Sequence, residues 1–109
     1  MTDKIVVLST CDSEKRAAEL ARHLVETRVA ACVNIIPKVR SIYRWRDKIE
    51  DTREFLLVIK SRRDLLAKLR AELKKKHSYE VPEILALPVV EGSEKYLTWL
   101  DSELLEPGT

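Results

Sequence analysis

Glycine is nearly absent from the chain: its 109 residues contain two, Gly92 and Gly108. Loops that cradle phosphate need glycines at fixed spacing so that backbone amides can close on the anion. No G-x-x-x-x-G-K-[ST] or G-x-G-x-x-G segment occurs, and nucleotide binding by those modes is excluded. Cysteine is as scarce. Cys11 and Cys32 are too few for a secreted disulfide scaffold and lack C-x-x-C spacing, which leaves structural zinc and thioredoxin chemistry unsupported and predicts free thiols. No apolar run approaches the roughly 18 residues of a membrane span, and Met1-Thr2-Asp3-Lys4 is no signal peptide. The expectation is a soluble cytoplasmic protein with no membrane partner. An excess of one charge is also missing, since 20 Lys+Arg face 18 Asp+Glu, so charge alone selects no partner. Neither H-E-x-x-H nor G-x-S-x-G is present, the two histidines lie far apart in sequence, and no catalytic residue is assigned. Glutamine is absent and asparagine occurs once, at Asn34, while charged residues reach 35%; that bias resembles heat-adapted proteins and is equally within the drift of one small sequence.

What is present reads as one domain over residues 1–109. Ile5-Val6-Val7-Leu8 is a short apolar run, a buried strand. Asp12 or Ser13 then caps a helix to about Thr27, with Ala17, Leu20, Ala21, Leu24 and Val25 on its apolar face. From Ala31 the residues become β-branched and alternating through Trp45, turn at Arg46-Asp47-Lys48, and return through Phe55-Leu56-Leu57-Val58-Ile59 as a hairpin. Ser61 or Asp64 opens a second helix with Leu65, Leu66, Leu69 and Leu73 on one face. Lys74-Lys75-Lys76 close it where the helix dipole favours cations. A strand over residues 84–90 and a helix from Ser93 to about Leu105 follow, and the last four residues read as frayed.

Strand, helix, strand, strand, helix, strand is the split βαβ order of an α+β, ferredoxin-like antiparallel sheet, here with an added C-terminal helix. Sheet order 4-1-3-2 puts the fourth strand at an edge, where Pro88 is tolerated because no ladder donor is needed. The hairpin segments 31–46 and 50–60 far exceed the usual strand of about 5 to 6 residues. Their excess carries Ile42, Tyr43 and Trp45. A bare ribbon of that kind is marginal in water and prone to aggregate, so an obligate homo-oligomer is expected.

The same outline is shared with RNA-recognition domains, but Arg53-Glu54-Phe55-Leu56-Leu57-Val58-Ile59-Lys60 lacks the glycine and paired aromatics that stack bases. Arg40, Arg44 and Arg46 read as a solvated face, and no nucleic-acid partner is expected. The ligands available for copper or zinc are Cys11, Cys32 and His77, with Glu80 and Glu83 close to His77 in sequence. The topology brings Cys11, Asp12 and His77 to one sheet edge and Cys32 to the opposite edge, so no Cys11–Cys32 disulfide is expected. Cys32 reads as a core thiol or a ligand, His77 as a helix-end cation or a ligand, and His23 as a solvated side chain. Tyr79-Glu80-Val81-Pro82-Glu83 sets a ring and two carboxylates beside His77, either to line a cleft or simply to lead into the fourth strand.

Ala30-Ala31-Cys32-Val33-Asn34-Ile35-Ile36-Pro37, Ser41-Ile42-Tyr43-Arg44-Trp45, His77-Ser78-Tyr79-Glu80-Val81-Pro82-Glu83-Ile84 and Tyr96-Leu97-Thr98-Trp99-Leu100 together resemble the CutA divalent-cation-tolerance family over nearly the whole chain. The resemblance implies a ferredoxin-like homotrimer, similar in architecture to the nitrogen-regulatory PII signal proteins. Bacterial members of the family are linked to tolerance of copper and other divalent cations, and mammalian members to acetylcholinesterase maturation or anchoring. It implies metal binding at His77 and at Cys32, and the reading taken from it is weak binding of Cu(II) or another divalent cation at clefts between subunits, with His77 as principal ligand and Cys32 or Glu80 contributing, and no catalysis. The alternative is a PII-like signalling trimer whose clefts take a metabolite or partner protein through Tyr43, Trp45, Tyr79 and the hairpin arginines. A hydrolase or isomerase working from Asp12, His77 and Glu80 has no motif behind it.

Overall fold

Strand β1, Lys4–Cys11, alternates buried and half-buried side chains, as a central strand must, in a computed structural model that describes residues 1–107. It pairs antiparallel with β3 (Lys48–Arg62) on one side and with the short β4 (Leu85–Pro88) on the other, while β2 (Cys32–Trp45) pairs with β3. The sheet order is β2-β3-β1-β4, the expected ferredoxin-like order. Helix α1 (Glu14–Glu26) starts at Ser13, whose hydroxyl accepts from the Arg16 N–H, and α3 (Glu94–Glu103) starts at Ser93, which accepts from Tyr96. Both caps occupy one of the amides a helix start leaves unpaired.

One face of the sheet carries the core. Ile5, Val7 and Cys11 of β1 and Leu57 and Ile59 of β3 are buried against Ala17, Leu20 and Leu24 of α1 and Leu69 and Leu73 of α2 (Leu66–Lys76). The opposite face is only partly covered. Side chains paired across an antiparallel ladder share a face. The registers Leu8↔Val58, Thr10↔Leu56, Val6↔Leu87 and Leu8↔Leu85 therefore set Val6, Leu8, Leu56, Val58, Leu85 and Leu87 side by side. Leu85 is 56% and Leu87 46% exposed.

The hairpin turns on two residues, Arg46 and Asp47, with φ of 51° and 66°. Two left-handed residues in a two-residue loop match the twist of the flanking strands. A register shift between Ile36 and Val39, with Lys38 at φ 61°, bends the ribbon beside Pro37. Beyond the bend Ile42 and Ile49 are 64% and 60% exposed. The Cα radius of gyration, 14.4 Å, exceeds the roughly 13 Å of a compact domain of this length because the ribbon projects.

Several local expectations are corrected. Ser61 caps no helix: β3 runs on to Arg62, and the buried Ser61 hydroxyl donates to the Val29 carbonyl at 2.6 Å. Asp64 caps none either. It pairs with Arg62 at 2.7 Å, and α2 follows a 3-10 turn, Arg63–Leu65, without a side-chain cap. Val25 lies off the apolar stripe and is exposed. His23 is not merely solvated, since its Nε2 lies 2.7 Å from the Glu72 carboxylate and ties α1 to α2. The fourth strand is shorter than expected and keeps Pro88, opposite Ile5, at the sheet edge. Of the tail expected to fray, Gly108 and Thr109 lie outside the described residues.

Candidate functional site

Helix α2 ends because His77 leaves helical geometry, at φ −78° and ψ 141°, while its N–H still bonds the Leu73 carbonyl. The His77 ring then bridges two partners. Its Nε2 lies 2.7 Å from the Thr10 carbonyl oxygen, and its Nδ1 lies 3.0 Å from the Tyr79 amide nitrogen. A carbonyl only accepts and an amide N–H only donates, so Nε2 carries the proton and Nδ1 offers its lone pair to Tyr79. Both ring nitrogens are thereby engaged. The sequence placed His77 at the helix end, as the structure does, but its ring holds the end of β1 and the following loop rather than the last helix carbonyls.

This clamp positions Tyr79. Its ring centroid is 4.8 Å from that of His77, and its hydroxyl donates to Glu54 Oε2 at 2.6 Å. Burial first, and then the Glu54 carboxylate, push the Tyr79 hydroxyl well above the usual tyrosine range. Glu54, near the middle of β3, is 5% exposed, and among the described residues Tyr79 is its only side-chain hydrogen-bond partner. Sequence reasoning missed it. A Glu between Arg53 and Phe55 reads as solvated at the start of an apolar run; only the loop folded over it makes it buried.

Between the projecting hairpin and the loop after α2 lies an open cleft of about 820 Å³, lined by Tyr43, Trp45 and Arg46 on one wall, Tyr79, Glu80 and Glu83 on the other, and Glu54 between them. Arg46 spans from the hairpin turn to Glu80 at 2.8 Å, its guanidinium carbon 5.3 Å from the Trp45 ring centroid. The pair is largely exposed and contributes little to stability. Arg40 is held on the ribbon by two hydrogen bonds to Asp51, at 2.9 and 2.7 Å.

Cys32 stands elsewhere. It pairs in register with Lys60, which pairs with Val6, so Cys32 lies level with a residue four positions before Thr10 on β1. At about 3.3 Å per residue that is ~13 Å along the sheet from the His77 clamp. The residue is half-buried, and its sulfur is 3.8 Å from the Lys60 ammonium, which also bonds the Asn34 side chain. Cys11 is fully buried, donates weakly to the Ser13 carbonyl at 3.7 Å, and its thiol is pushed up by burial. Both thiols are free. One chain thus places Glu80 on the wall of the cleft and His77 behind it, beneath the loop that Tyr79 begins, but leaves Cys32 apart, and among the described residues no three His, Cys, Asp or Glu side chains converge as a metal cage.

Comparison with known proteins matches residues 5–103 to the family described as CutA1 divalent ion tolerance protein. The chain is 48% identical over 95 residues to the divalent-cation tolerance protein CutA of Thermus thermophilus, covering 87% of this chain and 92% of that one. It is 48% identical over 91 residues to protein CutA of Mus musculus, covering 84% of this chain and 51% of the mouse protein. The chain therefore spans about half the length of that relative. The solved structure of CutA1 from Oryza sativa superposes with a TM-score of 0.93 at 40% identity, covering 96% of each chain. That of the Thermus thermophilus protein superposes at 0.90 with 46% identity, covering 93% of this chain and 98% of that one.

Proposed function

The chain belongs to the CutA1 divalent ion tolerance family, and from that membership we propose that it serves divalent-cation tolerance as a cytoplasmic homotrimer. It binds Cu(II) or a similar cation weakly between protomers and has no catalytic role. The observations that carry the assembly are the partly covered sheet face, where Val6, Leu8, Leu56, Val58, Leu85 and Leu87 lie together with Leu85 and Leu87 exposed, and a projecting ribbon that exposes Ile42 and Ile49. Exposed apolar side chains grouped in this way mark an interface. Both edge strands, β2 and β4, also carry exposed side chains along much of their length.

Thiol, imidazole and carboxylate suit Cu(II) and Zn(II) by donor type. Their placement supports a site shared between protomers, because within one chain Cys32 lies far from Glu80 and His77. Glu80 is exposed and Cys32 is half-buried. His77 joins a metal only by giving up the Tyr79 N–H at Nδ1 or the Thr10 carbonyl at Nε2. The test is a calorimetric titration of reduced, metal-free protein with Cu(II) in a weak competing chelator, alongside Cys32→Ser, His77→Ala and Glu80→Gln. Saturable binding lost in at least one variant is the expected result. Binding that is absent, or indifferent to all three substitutions, overturns the metal reading.

The cleft favours a second reading, a PII-like trimer that takes a small ligand or partner protein between hairpin and loop. Its support is the combination of three aromatic rings and a buried carboxylate around one opening. Ligand-dependent thermal shifts that persist in chelator distinguish it from the metal reading.

A further inference from the structure

We infer that the cleft binds an organic cation, an ammonium group on a compact apolar body, with Glu54 as its countercharge. The inference rests on the second reading above and names the ligand class for it. Glu54 carries the argument. A carboxylate removed from water costs several kcal/mol unless it is compensated by charge or multiple hydrogen bonds. Glu54 is 5% exposed and has the Tyr79 hydroxyl alone among the described residues. A neutral hydroxyl occupies one carboxyl oxygen and brings no countercharge. Among the described residues the only cationic side chain lining the cleft, Arg46, is engaged by Glu80 at 2.8 Å. With Glu80 and Glu83 on the same wall the cleft is acidic although the chain as a whole is net +2.

The remaining lining says what kind of cation. The rings of Tyr43, Trp45 and Tyr79 border the opening, and aromatic faces attract ammonium groups through the ring quadrupole. A volume near 820 Å³ is that of a small-molecule site rather than of one ion. A bare metal ion needs several donors converging at bonding distance, and no such cluster exists among the described residues. An anion meets carboxylates, and a neutral ligand brings Glu54 no countercharge.

Benzylamine serves as the probe, with benzyl alcohol and benzoate as neutral and anionic controls of similar shape. The assembled protein is titrated while the Trp45 indole N–H is followed by NMR, its resonance assigned with Trp45→Phe. Benzylamine is expected to shift that resonance saturably and benzoate to leave it unmoved. Benzyl alcohol should bind at least about tenfold more weakly, the change expected for loss of one charge-assisted hydrogen bond. Glu54→Gln keeps an acceptor for Tyr79 and should remove the preference for amine over alcohol. Should that variant not fold, Tyr43→Leu, at an exposed position, should weaken benzylamine about three- to tenfold by removing a ring face. Equal binding of amine and alcohol, or a preference that survives Glu54→Gln, overturns the cation assignment and leaves the cleft a site for neutral ligands. If none of the three compounds shifts Trp45, the ligand reading falls with it. If instead Trp45 shows contacts to a lysine or arginine of a second copy, the cleft is a subunit contact and the inference is refuted.

Discussion

The Tyr79 hydroxyl lies 2.6 Å from Glu54 Oε2, joining the loop after α2 to a buried carboxylate on β3 across 25 residues of sequence. The bond fixes one wall of the cleft to its floor. Tyr79→Phe strips Glu54 of its partner while keeping the ring, and is expected to cost about 1–3 kcal/mol, the penalty of an unsatisfied buried polar group. Urea denaturation at fixed protein concentration measures it. Adding Glu54→Gln to Tyr79→Phe should recover part of the loss, because the charge is removed.

The same pair sets an alkaline limit. Burial and the Glu54 carboxylate raise the Tyr79 hydroxyl above its unfolded value, so above about pH 10, where an unfolded tyrosine releases its proton, the folded state holds the proton more tightly. The unfolded state then binds fewer protons, and stability falls as pH rises. The contribution is complete below pH 10 and lost above it. Melting curves between pH 8 and 11 should show a decline that is shallower in Tyr79→Phe; an unchanged slope contradicts this.

His77 is expected to matter first as a clamp. Its ring joins the Thr10 carbonyl to the Tyr79 amide, so His77→Ala should loosen the loop and cost about 1–3 kcal/mol through two lost hydrogen bonds. His77→Asn, with one donor and one acceptor on a shorter arm, should restore part of it. Amide exchange at Tyr79 reads the local effect: faster exchange in His77→Ala than in wild type supports the clamp, and equal rates refute it.

Arg62, with a side chain only 4% exposed, is held by Asp64 at 2.7 Å, Asp101 at 3.2 Å and the Leu105 carbonyl at 2.6 Å, and Asp101 also reaches Lys4 at 3.2 Å. Asp101 therefore pins α3 and the segment after it to two shielded cations. Asp101 itself is half-exposed and both cations keep another acid, so Asp101→Asn should cost about 1–2 kcal/mol rather than the 3–5 of a fully buried broken pair. Thermal melting measures it, and a change below about 0.5 kcal/mol, the ordinary surface value, would contradict it.

The element order, the sheet order, a helix start at Asp12 or Ser13 and another at Ser93 were legible in the sequence because each rests on local chemistry: apolar periodicity, β-branching, a capping side chain before a helix. Ser61 misled for the same reason. A serine ahead of a helical pattern looks like a cap whether its hydroxyl meets an amide of the next turn or, as here, the Val29 carbonyl 32 residues away. The site was legible in part. His77, Tyr79 and Glu80 stood out as neighbours in an irregular segment, but the His77 partner Thr10 lies 67 residues away and Glu54 is buried only by the returning loop. Local patterns carry no trace of such long-range closures.

The turn at Arg46-Asp47 offers an independent check on the ribbon. Asp47 sits at φ 66°, a conformation glycine adopts freely and β-branched residues resist. Asp47→Gly should hold or raise the melting temperature, and Asp47→Val should lower stability by about 1–2 kcal/mol. The reverse order would contradict the left-handed turn.

Assembly through the open sheet face is tested most directly by light scattering on the purified protein at micromolar concentration, compared with Leu85→Asp/Leu87→Asp. A mass of three chains for the wild type, falling in the variant, is the predicted result. A wild-type monomer would contradict it and leave Leu85, Leu87, Ile42 and Ile49 exposed to water without a partner.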